Sequence, residues 1–152
     1  MKIYTKKGFL TAIILICAFA LLFSFSACAQ KNENFKTITL IIGEGENQMV
    51  FESYETLAEN LSGVLEELKA KGKITYTVSE SAYGEYIKAI NSYEGGESSY
   101  LCLLSTVEEQ QDITSYAIKR TVSGREYVSV NYGISSLKII DGAGYLIIPV
   151  NF

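Results

Sequence analysis

The chain has 152 residues, of which 13 are basic and 17 acidic, so its formal net charge is −4, and it contains no histidine. A negative balance argues against nucleic acid as a partner, because phosphates attract basic surfaces. The lack of histidine removes the commonest general base and the commonest zinc ligand. Composition therefore points away from nucleic-acid binding and from the most frequent kinds of hydrolytic site.

The N-terminal residues are typical of a secretory signal. A head with three lysines precedes an apolar run over residues 9–23, and no charged residue follows it until Lys31. This run is on the short side for a membrane-spanning helix, which needs about 20 apolar residues, and it fits the apolar region of a signal peptide. Phe25-Ser26-Ala27-Cys28 at its end resembles the lipobox of bacterial lipoproteins, with Phe25 in place of the usual Leu. We expect cleavage before Cys28 and lipid attachment to it; the alternative is an uncleaved N-terminal anchor. Either way, the rest of the chain faces outward across the membrane.

The residues after Cys28 predict a short tether and one domain. Residues 28–36 are mostly polar, as in a flexible linker, and residues 37–152 are long enough to bury a core. Three lysines and no acidic residue lie in residues 1–27, so the remainder keeps 10 basic against 17 acidic side chains. Cys102 stands among leucines, where a cysteine is usually a small buried hydrophobe. We expect no internal disulfide.

The first half of the domain predicts a hairpin and then a helix. Thr37–Ile42 and Met49–Glu52 are strand-like and flank a Gly-rich turn. Thr56–Lys71 has helical periodicity, and Thr56 with Glu59 matches a capping box. The apolar face of this helix comprises Leu57, Leu61, Val64, Leu65 and Leu68.

Strands predominate in the second half. The predicted strands are Lys73–Val78, Tyr83–Ile90, Ser99–Ser105, Tyr116–Val122 and Arg125–Val130. Ser99–Ser105 is almost wholly apolar and predicts a central strand buried on both faces, followed by an exposed acidic loop over Val107–Asp112. Ser136–Ile140 and Tyr145–Val150 predict a last hairpin, with Pro149 at an edge or strand end because proline cannot donate to a ladder. The expected fold class is α+β, a mixed sheet with one main helix packed on it.

No catalytic constellation emerges from the residues. Glu66-Glu67 cannot form an acid/base dyad on a helix, because adjacent residues do not face each other. Asp141 before Gly142 is most simply a turn former. No nucleophile elbow, P-loop or calcium-loop pattern occurs, although a Ser-Lys pair would leave no local signature. We expect a protein that is not an enzyme, with no catalytic residue, no metal site and no cofactor.

Several short motifs occur in a fixed order along the domain. The hairpin and a Leu-x-x-x-Leu helix are followed by Tyr83-Gly84-Glu85-Tyr86, Ser99-Tyr100-Leu101, Gly133-Ile134 and Asp141-Gly142. This order resembles the transcobalamin-like C-terminal domain, a β-grasp-related module common in lipoproteins of Gram-positive gut bacteria. The resemblance covers nearly the whole of residues 37–152 and implies a β-grasp-like fold.

Three departures bear on what the resemblance implies about function. Leu101 stands where the family usually has Trp, Leu137 follows the Gly-Ile turn without the expected Tyr, and the segment Val107–Val130 is longer. In the vitamin B12 carriers this domain is one half of a clamp, and the helical half is missing from this sequence. The resemblance therefore implies the fold more strongly than corrinoid binding, and a partner domain could complete the site.

Tyrosine content supplies the remaining functional signal. The chain has 11 Tyr and no Trp, and a tyrosine ring serves either a half-buried strand or a recognition surface. Tyr83, Tyr86, Tyr93 and Tyr100 surround the loop at Gly95-Gly96. We predict Tyr83, Tyr86 and Tyr100 as ligand-binding residues of a shallow site; the alternative is that they only pack against their neighbours.

The sequence thus predicts a lipid-anchored protein on the outer face of the cell membrane that binds a ligand without catalysis. The ligand would be a corrinoid or another planar or polymeric molecule. The alternative function is an envelope interaction or adhesion module whose partner is a protein or a cell-wall polymer. Nucleic acid is not expected as a partner.

Overall fold

The structure, a computed structural model, describes residues 35–151. This part of the chain contains two β-sheets and one α-helix. The predicted signal peptide and Cys28 lie outside these residues. Short 3-10 helices cover Gly45–Asn47 and Glu108–Gln110. The other elements are β1 (Lys36–Ile42), β2 (Met49–Thr56), α1 (Leu61–Ala70), β3 (Tyr76–Ser81), β4 (Gly84–Ile90), β5 (Tyr93–Glu94), β6 (Ser99–Ser105), β7 (Lys119–Val122), β8 (Arg125–Ser129) and β9 (Gly144–Asn151). The predicted α+β class, a mixed sheet with one main helix, is confirmed for this part of the chain.

The larger sheet has six strands in the order β2-β1-β9-β6-β8-β7. Its neighbouring strands are antiparallel except for β1 and β9, which run parallel from the pair Thr39 and Gly144 to the pair Ile42 and Ile147. Pro149 lies beyond the last of these pairs, where β1 no longer borders β9. Its missing N–H is therefore tolerated, as predicted for a strand end.

The predicted last hairpin is wrong. Residues 136–140 form no strand beside β9, and only an isolated bridge joins Lys138 to Asn60. The reason is that β1 and β6 occupy both edges of β9. The segment Ser136–Ile140 instead packs into the main core through Leu137 and Ile139, on the same side as the buried face of α1.

Alternation along the central strands divides the core into two parts, because successive side chains of a strand point to opposite faces. On one face lie Leu101, Leu103 and the residues packed with them, including the buried side of α1. On the other lie Cys102 and Leu104. This confirms β6 as a central strand buried on both faces. The β7–β8 hairpin, predicted from the residues around Ser123-Gly124, covers the second face with Tyr127.

The helix begins later than predicted. Its first residue is Leu61, and the N-cap is Asn60, whose side chain accepts a hydrogen bond from the Gly63 N–H at 3.0 Å. Thr56 ends β2 instead, and its buried hydroxyl donates to the Glu67 carboxylate at 2.9 Å. The capping box is therefore wrong: Thr56 belongs to β2, and its hydroxyl oxygen accepts from the Ala58 N–H at 3.0 Å instead of capping the helix. Leu57, expected on the apolar face, is 54% exposed.

The acidic segment Val107–Asp112 is only partly the free loop that was predicted. Glu108 and Glu109 are exposed in a 3-10 turn. Gln110 and Gln111, however, bind the body of the domain: the Gln110 amide donates to the Lys138 carbonyl at 2.7 Å, and the Gln111 amide donates to the Ser105 carbonyl at 3.1 Å. The end of this segment is thus fixed to the body of the domain.

Candidate functional site

Two turns that are far apart in sequence are locked together at one side of the domain. The Gly133 N–H donates to the Tyr83 carbonyl at 2.8 Å, and the Ile134 N–H donates to the Glu85 carbonyl at 2.7 Å. The Glu85 N–H in turn donates to the Ser135 hydroxyl at 3.0 Å. These bonds join the turn that opens β4 to the segment after β8, and we call the pair the turn lock.

Glycine makes the turn lock possible. A Cβ on Gly133 would lie 2.5 Å from the Glu85 carbonyl oxygen, which belongs to the backbone and cannot move aside cheaply. Gly84 has a φ of +99°, a conformation that side chains with a Cβ rarely adopt. Both glycines belong to the motifs that carry the family resemblance, and the structure places these motifs in direct contact.

The turn lock borders a shallow depression of about 510 Å³, which we call the central depression. Its lining includes the predicted residues Tyr83 and Tyr86 together with Tyr132. Tyr83 is 74% exposed, and Tyr86 and Tyr132 are 47% and 46% exposed. The two predicted tyrosines and Tyr132 therefore line one surface, and much of each side chain remains open to solvent.

Tyr100, the third predicted residue, lies in a neighbouring depression of about 460 Å³ that we call the β6 depression. Tyr86 lines this depression as well, so it stands at the boundary between the two. Burial, with a smaller contribution from Cys102, raises the pKa of Tyr100 above its ordinary value. Tyr100 thus already has a hydrogen-bond partner in Cys102.

Tyr93 does not join this surface, although it is close to the others in sequence. Its hydroxyl donates to the Asn47 carbonyl at 3.2 Å, and its ring covers Gly43, where a Cβ would collide with it. Tyr93 packs against the main core and fastens β5 to the β1–β2 turn. For this residue the packing interpretation is the right one.

Tyr132 is a site residue that the sequence reasoning did not single out. The available signal was its place directly before Gly133-Ile134, one of the motifs of the resemblance. Because Gly133 touches the backbone of Glu85, the side chain that precedes it is brought to the edge of β4. A tyrosine directly before the glycine of this motif is therefore the sequence signal by which Tyr132 could have been predicted.

The other residues weighed as chemical candidates have structural partners. Asp141 accepts a hydrogen bond from the Thr37 N–H at 2.7 Å through its carboxylate. Glu67 accepts from Thr56 and Tyr54, whereas Glu66 accepts from Tyr76. Each carboxylate of the Glu66-Glu67 pair thus has its own partners, as its spacing predicted.

Cys102 lies in the second core, two residues along β6 from Tyr100, with which it interacts. It is 7% exposed, and burial raises the pKa of its thiol to about 11. Within residues 35–151, no three His, Cys, Asp or Glu side chains come together in a way that could hold a metal ion. The same residues include no helix that is long and apolar enough to cross a membrane.

Comparisons with known proteins bear on the fold. No family model matches the chain, and no curated protein matches it. Among solved structures, it is similar to a candidate metal-binding protein from Ruminococcus gnavus ATCC 29149, with a TM-score of 0.51 and 17% identity over 77% of this chain and 98% of that one. It is also similar to haptocorrin in complex with Cbi, with a TM-score of 0.54 and 16% identity over 84% of this chain. The match spans only 28% of the haptocorrin chain. At these identities the similarity shows a shared fold.

Proposed function

We propose that this protein is an extracytoplasmic lipoprotein, tethered to the outer face of the cell membrane through Cys28, that binds a ligand without catalysing a reaction. Residues 37–152 would form the binding domain, of the transcobalamin C-terminal type and with a β-grasp-like fold. The ligand would be a corrinoid or another planar or polymeric molecule. The sequence has no histidine and an acidic balance, which supports a non-catalytic role and makes nucleic acid an unsuitable partner.

The order of the strands supports the β-grasp-like assignment. An N-terminal hairpin, β1–β2, leads into α1, and the last strand, β9, inserts parallel to β1 at the centre of the sheet. The fold shared with haptocorrin supports a domain of the same type. Because the match covers only 28% of the haptocorrin chain, the shared part is a single segment of that longer protein. A second domain from a partner could then complete the site, as the sequence resemblance implies.

The observation that carries the ligand-binding role is the grouping of Tyr83, Tyr86 and Tyr132 around one depression. Large aromatic side chains are normally buried because their area contributes strongly to stability. Here the turn lock holds three of them at the surface through backbone hydrogen bonds. A preformed aromatic surface loses little conformational entropy when it binds a flat ligand.

Titration of the purified protein with a corrinoid, followed by visible absorbance, tests this role. We expect a saturable spectral change. The affinity derived from it should fall about tenfold or more in Tyr86→Ala, since loss of a stacked ring costs on the order of 1–3 kcal/mol. Tyr116→Ala is the matched control, because Tyr116 is 89% exposed and lines none of these depressions. No spectral change at high micromolar corrinoid would remove the corrinoid as ligand.

The second candidate function, an envelope interaction or adhesion module, is favoured by a different surface. Ile113 and Tyr116 are 96% and 89% exposed in the loop before β7. Asp112 orders this loop, since its carboxylate accepts from both the N–H and the hydroxyl of Thr114 at 2.9 and 3.0 Å. Two large apolar side chains held outward in this way are suited to a macromolecular partner.

Pull-down from envelope extract separates the two functions. The adhesion function predicts capture of a protein or cell-wall polymer that is lost in the double variant Ile113→Ser, Tyr116→Ser and kept in Tyr86→Ala. The ligand-binding function predicts that, in the absorbance titration, Tyr86→Ala weakens binding and the double variant binds like the wild type. Capture that neither variant alters would rule out the loop as the adhesion surface.

A further inference from the structure

We propose that the tyrosine surface is a groove for a linear, uncharged carbohydrate chain, which lies lengthwise across three adjoining depressions. This inference deepens the proposed ligand-binding function and rests on it. It names the ligand class as an oligosaccharide or polysaccharide.

The depressions form a row. Beside the central depression lies a third one of about 520 Å³, lined by Val107, Lys138 and Ile140 among others, which we call the Lys138 depression. Tyr132 lines both the Lys138 and the central depression, and Tyr86 lines both the central and the β6 depression. No lining residue is common to the two outer depressions. The central depression therefore adjoins both of the others, and the proposed path of the ligand runs through it.

The aromatic side chains follow this row. Tyr132 lines the Lys138 and central depressions, and Tyr86 lines the central and β6 depressions; Tyr83 lines the central depression and Tyr100 the β6 depression. A tyrosine offers an apolar ring and a polar hydroxyl. A pyranose ring has the matching pattern, because its C–H groups pack on an aromatic face while its hydroxyls form hydrogen bonds at the edge. Repeated tyrosines thus fit a ligand made of repeated sugar units.

The charges of the groove favour a neutral ligand. No charged side chain lines the central depression. Lys88 lines the β6 depression, and Glu109 and Lys138 line the Lys138 depression, where their charges oppose each other. An anionic or cationic polymer would meet no matching row of charges along this path, and its charged groups would lose hydration without compensation. Uncharged side chains, such as Ser81 and Asn131, supply the polar contacts in the middle.

The backbone of the central depression argues against an extended peptide. A peptide that binds along a sheet pairs with free N–H and C=O groups at a strand edge. Here the Tyr83 carbonyl and both the N–H and the carbonyl of Glu85 are already bonded within the turn lock. Tyr86 is paired on the other side with Ser79 of β3. Side chains are therefore the available recognition groups, which suits a carbohydrate.

Calorimetric titration of the full chain with neutral linear oligosaccharides tests the inference. The probes are β-1,4-linked oligomers of glucose, of N-acetylglucosamine and of mannose, each as dimer, tetramer and hexamer. For at least one series we expect affinity to rise about tenfold or more from dimer to hexamer, as a longer chain fills more of the groove. Tyr86→Ala should weaken hexamer binding about tenfold or more, whereas Tyr86→Phe should stay within about threefold, because it keeps the ring. Phe35→Ala should bind like the wild type, because Phe35 is exposed and lines none of the three depressions.

Circular dichroism of each variant separates lost binding from lost folding. Equal affinity for dimer and hexamer would overturn the lengthwise groove, and no binding of any hexamer would overturn the carbohydrate. Corrinoid binding in parallel absorbance titrations, without oligosaccharide binding, would leave the proposed function standing while this inference fell. Binding of neither would count against both. Displacement of a bound corrinoid by an extended peptide, but by no oligosaccharide, would assign the groove to a peptide.

Discussion

The Gly133 N–H donates a 2.8 Å hydrogen bond to the carbonyl oxygen of Tyr83, although the strands β4 to β8 lie between these two residues in the sequence. It brings Tyr132 beside Tyr83 and Tyr86 and so creates the central depression. The stability of the domain and the shape of its candidate site therefore depend on the same contact.

Replacing Gly133 should destabilise the domain. In Gly133→Ala the new Cβ would lie 2.5 Å from the Glu85 carbonyl oxygen and 2.7 Å from the Gly84 carbonyl carbon. Both atoms belong to the backbone, so the turn lock must shift, and we expect a loss of about 2 kcal/mol in the free energy of unfolding. Urea unfolding followed by circular dichroism measures it. Gly96→Ala is the control, because its Cβ would meet only the Ser99 hydroxyl at 3.5 Å. A Gly133→Ala variant as stable as this control would show that the close contact is not maintained.

Two neighbouring substitutions locate the start of the helix. Asn60→Ala removes the cap on the Gly63 N–H and a 3.0 Å bond to the Ser135 carbonyl, so we expect a loss of about 1–2 kcal/mol in the free energy of unfolding. Glu59→Ala should change stability by less than about 0.5 kcal/mol, because Glu59 is exposed and lies before the cap. The capping box read from the sequence gives the opposite order. Thermal unfolding of the two variants decides between them.

Burial of Cys102 should make stability depend on alkaline pH. The pKa of its thiol is raised to about 11 in the folded protein, against an ordinary value of 9.0. Between these values the thiol is protonated in the folded chain and ionised in the unfolded chain, so unfolding releases a proton. The resulting contribution to stability is complete below about pH 9 and is lost as the pH rises through about 11.

The measurement is the free energy of unfolding of the wild type and of Cys102→Ala across this range. The comparison is repeated in a Tyr100→Phe background, because Cys102 raises the pKa of Tyr100 and this contribution does not cancel; the other buried ionisable groups are common to both proteins and cancel in the difference. We expect the wild type to lose stability relative to the variant as the pH rises. Parallel curves would mean that the thiol is not buried as the structure has it.

The membrane tether makes a prediction that is independent of the ligand. Metabolic labelling with a radioactive fatty acid should label the wild type, and Cys28→Ala should abolish both the label and the size shift that accompanies cleavage. Cys17→Ala is the matched control, because Cys17 lies inside the predicted signal and should leave both intact. A wild type of full length that takes up no lipid would favour the uncleaved anchor.

Local sequence patterns determined the elements themselves. The apolar run of Ser99–Ser105 identified a strand buried on both faces, and the spacing of Leu61, Val64, Leu65 and Leu68 identified the buried face of α1. The x-Gly signal at Ser123-Gly124 identified the β7–β8 hairpin. These features depend on residues only a few positions apart, so the sequence carries them directly.

Tertiary contacts decided the rest. The helix starts at Leu61 because Thr56 is held in β2 by its pairing with Lys36 of β1, which leaves Asn60 to cap the helix. The segment Ser136–Ile140 forms no strand because β1 and β6 already occupy both edges of β9. Tyr132 joins Tyr83 and Tyr86 because Gly133 allows two backbones to meet. In each case the competing partner is distant in sequence, and its bond or its bulk outweighs a local preference of about 1 kcal/mol. The sequence alone thus predicted a tyrosine-rich surface, whereas which tyrosines share it was settled by packing.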